Sequence, residues 1–170
     1  MHKLNKNKRT GERSSMLVNT KYFGEIDLGE DKIITFEQGI MGFSDFKRYT
    51  ILYDIEEGNT PNISWLQSLD EPALALPVIN PLLVKSDYNP IIEDEVIKSL
   101  GELNEENLVI LLSLTVPSDI TKVTANLKAP FVINSDTKKG IQMIVENADY
   151  DVKYNVYDAI KKLKEEKGED

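Results

Sequence analysis

The chain contains no cysteine, and its single histidine is His2. Without cysteine there is no disulfide framework and no thiolate metal site, which fits a reducing cytoplasm. Beyond His2, zinc sites built on imidazole and Ser-His-Asp or Cys-His nucleophiles are excluded as well. No apolar run approaches the roughly 20 residues of a membrane-spanning helix. Residues 1–15 carry charge but lack the apolar stretch of a secretory signal. Gly39-Ile-Met-Gly42 has neither the spacing nor the lysine of a phosphate-binding loop, and Asp54-Ile-Glu-Glu-Gly58 lacks the ligand spacing of a calcium loop.

Basic residues are scarce in the body of the chain. Five of the 20 lysines and arginines (Lys3, Lys6, Lys8, Arg9 and Arg13) lie in residues 1–15 with one acid, Glu12. Residues 16–170 therefore hold 15 basic and 28 acidic residues, a net charge of −13. Such a body repels nucleic acid and anionic lipid and steers toward basic partners, most strongly at low salt. Residues 1–15 have little to pack and are expected to form a disordered basic leader. A native start at Met16 is expected; the competing reading is a nucleic-acid-binding arm.

The body, 16–152, reads as mostly β and as one domain, since 170 residues suit one domain and are tight for two. Leu17 to Leu28 alternates as a strand and ends at Gly29-Glu30-Asp31. Lys32–Phe36, Tyr49–Ile55 and Ile63–Leu69 follow as strands, with a compact loop from Glu37 to Phe46 between the first two. Ala73 to Val84 is apolar but interrupted by Pro77 and Pro81, so it is expected at a sheet edge or in a sharp bend. A helix is expected before Gly101, capped by Asn89 or starting later. Leu108–Val116 reads as a strand buried on both faces. Val123–Leu127, Ala129–Asn134 and Ile141–Glu146 complete the set. Val156, Ile160 and Leu163 predict a short exposed helix in the charged tail, 153–170. Short strands separated by turns imply a mainly β fold, an antiparallel barrel-like single domain with a few short helices.

Only carboxylates remain as candidates for catalysis. Glu56/Glu57, Asp70/Glu71 and Glu93/Asp94/Glu95 are clustered, but neighbours along a strand point to opposite faces and make poor dyads. A carboxylate-dependent hydrolase on a β scaffold is the alternative reading these clusters leave open. Binding candidates are aromatics beside turns: Phe43, Phe46, Trp65 and Tyr88.

Three segments carry a resemblance. Phe36-Glu-Gln-Gly39-Ile-Met-Gly42-Phe43 is followed by Tyr49-Thr-Ile-Leu52. Leu66-Gln-Ser-Leu-Asp70-Glu-Pro72-Ala-Leu-Ala-Leu-Pro77-Val is followed by Asp87-Tyr88. Val123-Thr-Ala-Asn126-Leu-Lys-Ala-Pro130-Phe-Val-Ile-Asn134 is followed by Gly140-Ile-Gln142. In order and spacing they resemble the flagellar assembly factor FliW family across roughly residues 16–152. The resemblance implies a β-barrel-like domain that is not an enzyme and takes no cofactor. It implies two protein partners: flagellin, held in the cytoplasm before export, and CsrA, a small basic RNA-binding regulator that represses flagellin translation. It does not assign contacts. From chemistry and position, Phe43 and the 39–46 loop with its Asp45 are the candidate anchor, and Glu56, Glu57, Asp70, Glu71 and Asp87 the candidate rim charges.

Overall fold

The computed structural model describes residues 14–53 and 62–168. The leader through Arg13 and the turn acids Glu56 and Glu57 lie outside the described residues. The chain opens with an antiparallel hairpin of β1 (Ser15–Asn19) and β2 (Glu25–Gly29). One continuous strand was expected here, but the chain turns at 20–24. The Thr20 hydroxyl donates to the Gly24 carbonyl at 2.7 Å and accepts from the Phe23 amide at 2.9 Å. Gly24 takes φ +67°, a left-handed conformation glycine adopts without steric cost. The alternation is unbroken because Met16 and Val18 on one arm face Leu28 and Ile26 on the other.

The remaining strands are β3 (Ile34–Thr35), β4 (Arg48–Tyr53), β5 (Ile63–Ser68), β6 (Ala75–Ile79), β7 (Leu108–Thr115), β8 (Thr124–Ala125), β9 (Phe131–Asn134), β10 (Lys139–Gln142) and β11 (Tyr154–Asn155). Seven of them close a ring in the order β3-β4-β5-β6-β7-β9-β10 and back to β3. All neighbours are antiparallel except β3 and β10, which run parallel through Thr35 opposite Lys139. β8 pairs antiparallel with the end of β7 at Leu114 and Thr115, and β11 pairs with β8. The expected mainly β, barrel-like architecture is the one observed, with closure removing the edges an open sheet leaves.

Side-chain alternation divides two cores across the barrel wall. Inside the barrel, Ile34, Tyr49, Leu66, Val78, Leu111, Phe131 and Ile133 come from successive strands and surround Phe36. β10 contributes Gly140, where a Cβ would stand 2.7 Å from the Phe36 ring. Outside, Ile79, Leu112, Leu114, Ala125 and Val132 meet Tyr88, Leu100, Tyr150 and Val156. The middle of β7 is thus buried on both faces as expected, while Leu108 and Thr115 at its ends are exposed.

The outer layer also holds the helices. α1 (Asp94–Ser99) has Glu93, not Asn89, at its N-cap, and stops before Gly101 at φ +90°. α2 (Tyr157–Gly168) half-buries Ala159, Ile160 and Leu163, so it rests on the outer core and is not fully exposed. Two further expectations are corrected. For Ala73 to Val84, expected at an edge or in a sharp bend, the edge is not found, since β6 lies between β5 and β7, while the chain does bend after Ile79 into a 3-10 turn at Pro81–Leu83. Pro77 is tolerated opposite Trp65 because β7 pairs only with Val78 and Ile79, so the ladder on that side has ended before the proline. Tyr88, expected beside a turn with the binding aromatics, is buried, stacks on Tyr150 at 4.9 Å and donates to the Leu127 carbonyl at 2.8 Å.

Candidate partner-binding surface

The loop from Glu37 to Lys47 is held by its own backbone. The Gly39 amide donates to Phe36 and the Phe43 amide to Ile40. Gly39 has φ +71° and packs so closely that a Cβ there would lie 2.5 Å from the Ser44 backbone; Gly42 has φ +87° with open space around it. The loop is fixed to β10 as well, because the Met41 amide donates to Gln142 Oε1 at 2.8 Å. The Phe43 ring stacks on Phe46, which packs against the barrel core, while Phe43 itself stays 37% exposed and Asp45 is exposed beside it. An apolar side chain displayed on a pre-ordered loop loses little entropy on binding, which suits it to anchor a partner.

Asp70 and Glu71 lie next to this loop, in the turn between β5 and β6. Asp70 accepts from the amides of Lys47 (2.8 Å) and Arg48 (3.0 Å) and from the Arg48 guanidinium (2.9 Å), so it clamps the loop's exit to the turn. Partial burial raises its pKa, but the Arg48 and Lys47 amides and the Arg48 cation prevail and hold the carboxyl below its ordinary value. The turn itself is organised by the buried Gln67 and Ser68. Gln67 Nε2 donates to the carbonyls of Pro72 (3.0 Å) and Leu74 (3.2 Å), its Oε1 accepts from the Lys21 amide, and Ser68 Oγ accepts from the amides of Asp70 and Glu71. Glu71 is half-buried, its carboxylate accepting from the Ala73 amide.

The structure thus brings Phe43, Asp45, Asp70 and Glu71 to one region and places Asp87 in another. Asp87 is 80% exposed and paired with Lys85 at 2.9 Å, whose ammonium also sits over the rings of Tyr150 and Tyr154. The hydrogen bond from Lys85, then its charge, lowers the Asp87 pKa. Trp65 is half-buried, with the Tyr22 ring at 4.5 Å.

Sequence reasoning did not find a carboxylate pair on the outer layer. Glu93 and Glu146 are neighbours, and sharing a proton with Glu146, the Glu146 charge, slight desolvation and the charge of Glu95 together raise the Glu93 pKa. Glu93 and Glu146 lie 53 residues apart in the chain, so no local pattern joins them. Nor did it find the open cavity of about 590 Å³ at one end of the barrel, walled by Ile34, Ile51, Tyr53, Val109 and Ile133 with the hairpin's Ile26 and Leu28 beside them. None of the described candidate residues lines that cavity. Among the described residues no three of His, Cys, Asp and Glu come together as a metal site, and no helix is long and apolar enough to cross a membrane.

The third motif is structural too. Asn126 Oδ1 accepts from the amides of Lys128 and Ala129, both at 3.0 Å. The fully buried Asn134 accepts from Asp136 and Thr137 and donates to the carbonyls of Leu100 and Glu102. Residues with such duties identify a fold closely, and the comparisons agree. The family model described as FliW protein matches residues 17–156. The chain is 59% identical to a flagellar assembly factor FliW from Lachnoclostridium phytofermentans, over 91% of this chain and 99% of that relative. It is 53% identical to one from Lachnospira eligens, over 86% and 98%. A crystal structure of the flagellar assembly factor FliW superimposes with a TM-score of 0.76 at 33% identity, covering 83% of this chain and 96% of that one. Barrel, motif geometry and near-complete coverage of these relatives agree, and the chain belongs to the flagellar assembly factor FliW family.

Proposed function

We propose that this flagellar assembly factor works by exchanging two protein partners in the cytoplasm. It holds flagellin before export and, when free of flagellin, binds the basic RNA-binding regulator CsrA and relieves its repression of flagellin synthesis. The observation that carries this reading beyond family membership is the charge of −13 on residues 16–170, combined with an apolar anchor, Phe43, on a pre-ordered loop. A basic regulator is drawn to such a surface by complementary charge, and the aromatic supplies contact area. Phe43, Asp45 and Glu71 are the proposed contacts on one side, with Glu56 and Glu57 on the β4–β5 connection and Asp87 further round. Asp70 supports them by fixing the loop.

Calorimetric titration of the full chain with flagellin and, separately, with the CsrA-type regulator tests the proposal. Binding to both, with the regulator displaced when flagellin is added, is the expected result. Absence of heat with both partners at low salt defeats the reading.

A further inference from the structure

A second surface is assembled from segments distant in sequence. After β10 the chain runs on extended, with Met143 and Val145 buried in the outer core and Ile144 and Glu146 turned outward between them. The Met143 and Val145 amides are bonded to the carbonyls of Pro130 and Lys128, which keeps this segment straight against the barrel. At its near end Gln142 holds the Met41 amide; at its far end Asn147 Oδ1 accepts from the Ile91 amide at 2.7 Å and Asn147 Nδ2 donates to the Asn89 carbonyl at 3.0 Å. Met41 (47% exposed), Ile144 (62%) and Ile91 (52%) are thereby held at the near end, the middle and the far end of this segment, and Phe43 follows Met41 across the tight turn that pairs Ile40 with Phe43. Gln142 and Asn147 are five positions apart, about 16 Å of extended chain.

Beside Ile144 and Ile91 sits the Glu93–Glu146 pair. Glu95 adds a third negative charge from α1, and Lys128, on the neighbouring segment, is turned to the Asn147 carbonyl at 2.8 Å. Two neighbouring carboxylates repel when both are ionised, and a cation placed between them removes that repulsion. The apolar line and the paired carboxylates together describe a complement: a segment with apolar side chains on one face and a lysine or arginine among them.

We propose that the line Phe43–Met41–Ile144–Ile91 docks a basic amphipathic segment of a protein partner, whose cation enters between Glu93 and Glu146. This extends the partner-binding reading above and rests on it. Partner binding then favours loss of the Glu93 proton, so affinity rises as pH increases through the acid range.

The test compares the full chain with Ile144→Asp and Glu93→Gln/Glu146→Gln variants, and with Ile120→Asp, which alters an exposed apolar residue outside the line, as control. Each is titrated with flagellin and with the CsrA-type regulator at pH 5 and pH 7.5, after circular dichroism establishes that it is folded. For at least one partner, Ile144→Asp is expected to weaken binding tenfold or more, and the double Gln variant to weaken it several-fold and flatten its pH dependence. The control should match the unaltered chain. If the unaltered chain binds either partner and both line variants bind it equally well at both pH values, the docking line is wrong while the partner-binding reading stands. If the unaltered chain binds neither, both are wrong.

Discussion

Individual residues carry opposite kinds of strain in this barrel. Tyr49 is fully buried inside it, yet among the described residues its hydroxyl finds no hydrogen-bond partner. A buried donor left unpaired costs free energy, so Tyr49→Phe is expected to leave stability at pH 7 unchanged or raise it by about 1 kcal/mol. Desolvation first, and the charge of Asp70 second, push the phenol pKa up to about 12 from 10. The unfolded chain therefore releases this proton first as pH passes 10, and stability falls from there to about 12. Urea unfolding between pH 9 and 12 should show a shallower decline for Tyr49→Phe, the difference reaching on the order of 2 kcal/mol. Equal slopes would mean the hydroxyl is solvated. Asp70 has the opposite sign. Its lowered pKa contributes stability that is present above about pH 4, the unfolded value, and is lost as pH falls through the folded one. Asp70→Asn keeps the shape but not the charge, and is expected to cost about 1–2 kcal/mol at pH 7 and progressively less below pH 4. Denaturant midpoints measured from pH 3 to 7 check this.

At the scale of elements, the 37–47 loop makes its two glycines unequal. Both need left-handed backbone, but only Gly39 also lies against the chain, with Ser44 backbone 2.5 Å from a built Cβ. Gly42→Ala is expected to cost about 1 kcal/mol from backbone strain alone, and Gly39→Ala about 3 kcal/mol or more because the loop must also move. Chemical denaturation of the two variants separates the contributions; equal losses would show that the loop yields freely around Ser44. The sequence announced both glycines as loop residues but not this difference, which depends on a contact five residues away. Most strands were legible because period-two alternation survives in Tyr49-Thr-Ile-Leu-Tyr and because apolar runs such as Leu108–Leu114 are long. The hairpin break at Thr20 was not, since Thr20 and Gly24 interrupt the run without clearing it of strand-forming residues. Pro77 misled because a proline excludes a ladder only on the side its nitrogen faces. Of the candidate surface, Phe43 and Asp45 were legible as loop residues, but whether the Phe43 ring packs inward or stays exposed was not. Asp70 was legible as a turn acid, but its bonds to Lys47 and Arg48 arise only when β4 and β5 pair.

The whole molecule sets the terms of recognition through its charge. Residues 16–170 carry −13, so acids outnumber the basic residues that could neutralise them; Arg48–Asp70 and Lys85–Asp87 are joined as salt bridges. An excess of unneutralised carboxylates acts over distance, so it accelerates encounter with a basic protein more than it slows departure. Salt shortens its reach from about 30 Å at 0.01 M to about 8 Å at 0.15 M. The apolar contacts proposed around Phe43, Met41 and Ile144 would be short-ranged and escape this screening. For the CsrA-type regulator, the expected result of raising salt from 20 to 300 mM is an association rate lower by about tenfold or more, with a dissociation rate changed by no more than two- or three-fold. Surface-immobilised chain measured at several salt concentrations reads both rates. Removing residues 1–15 takes away four net positive charges and should raise the association rate further at low salt. If association is indifferent to salt and to the leader, the acidic body does not steer this partner, and recognition must rest on the apolar contacts alone.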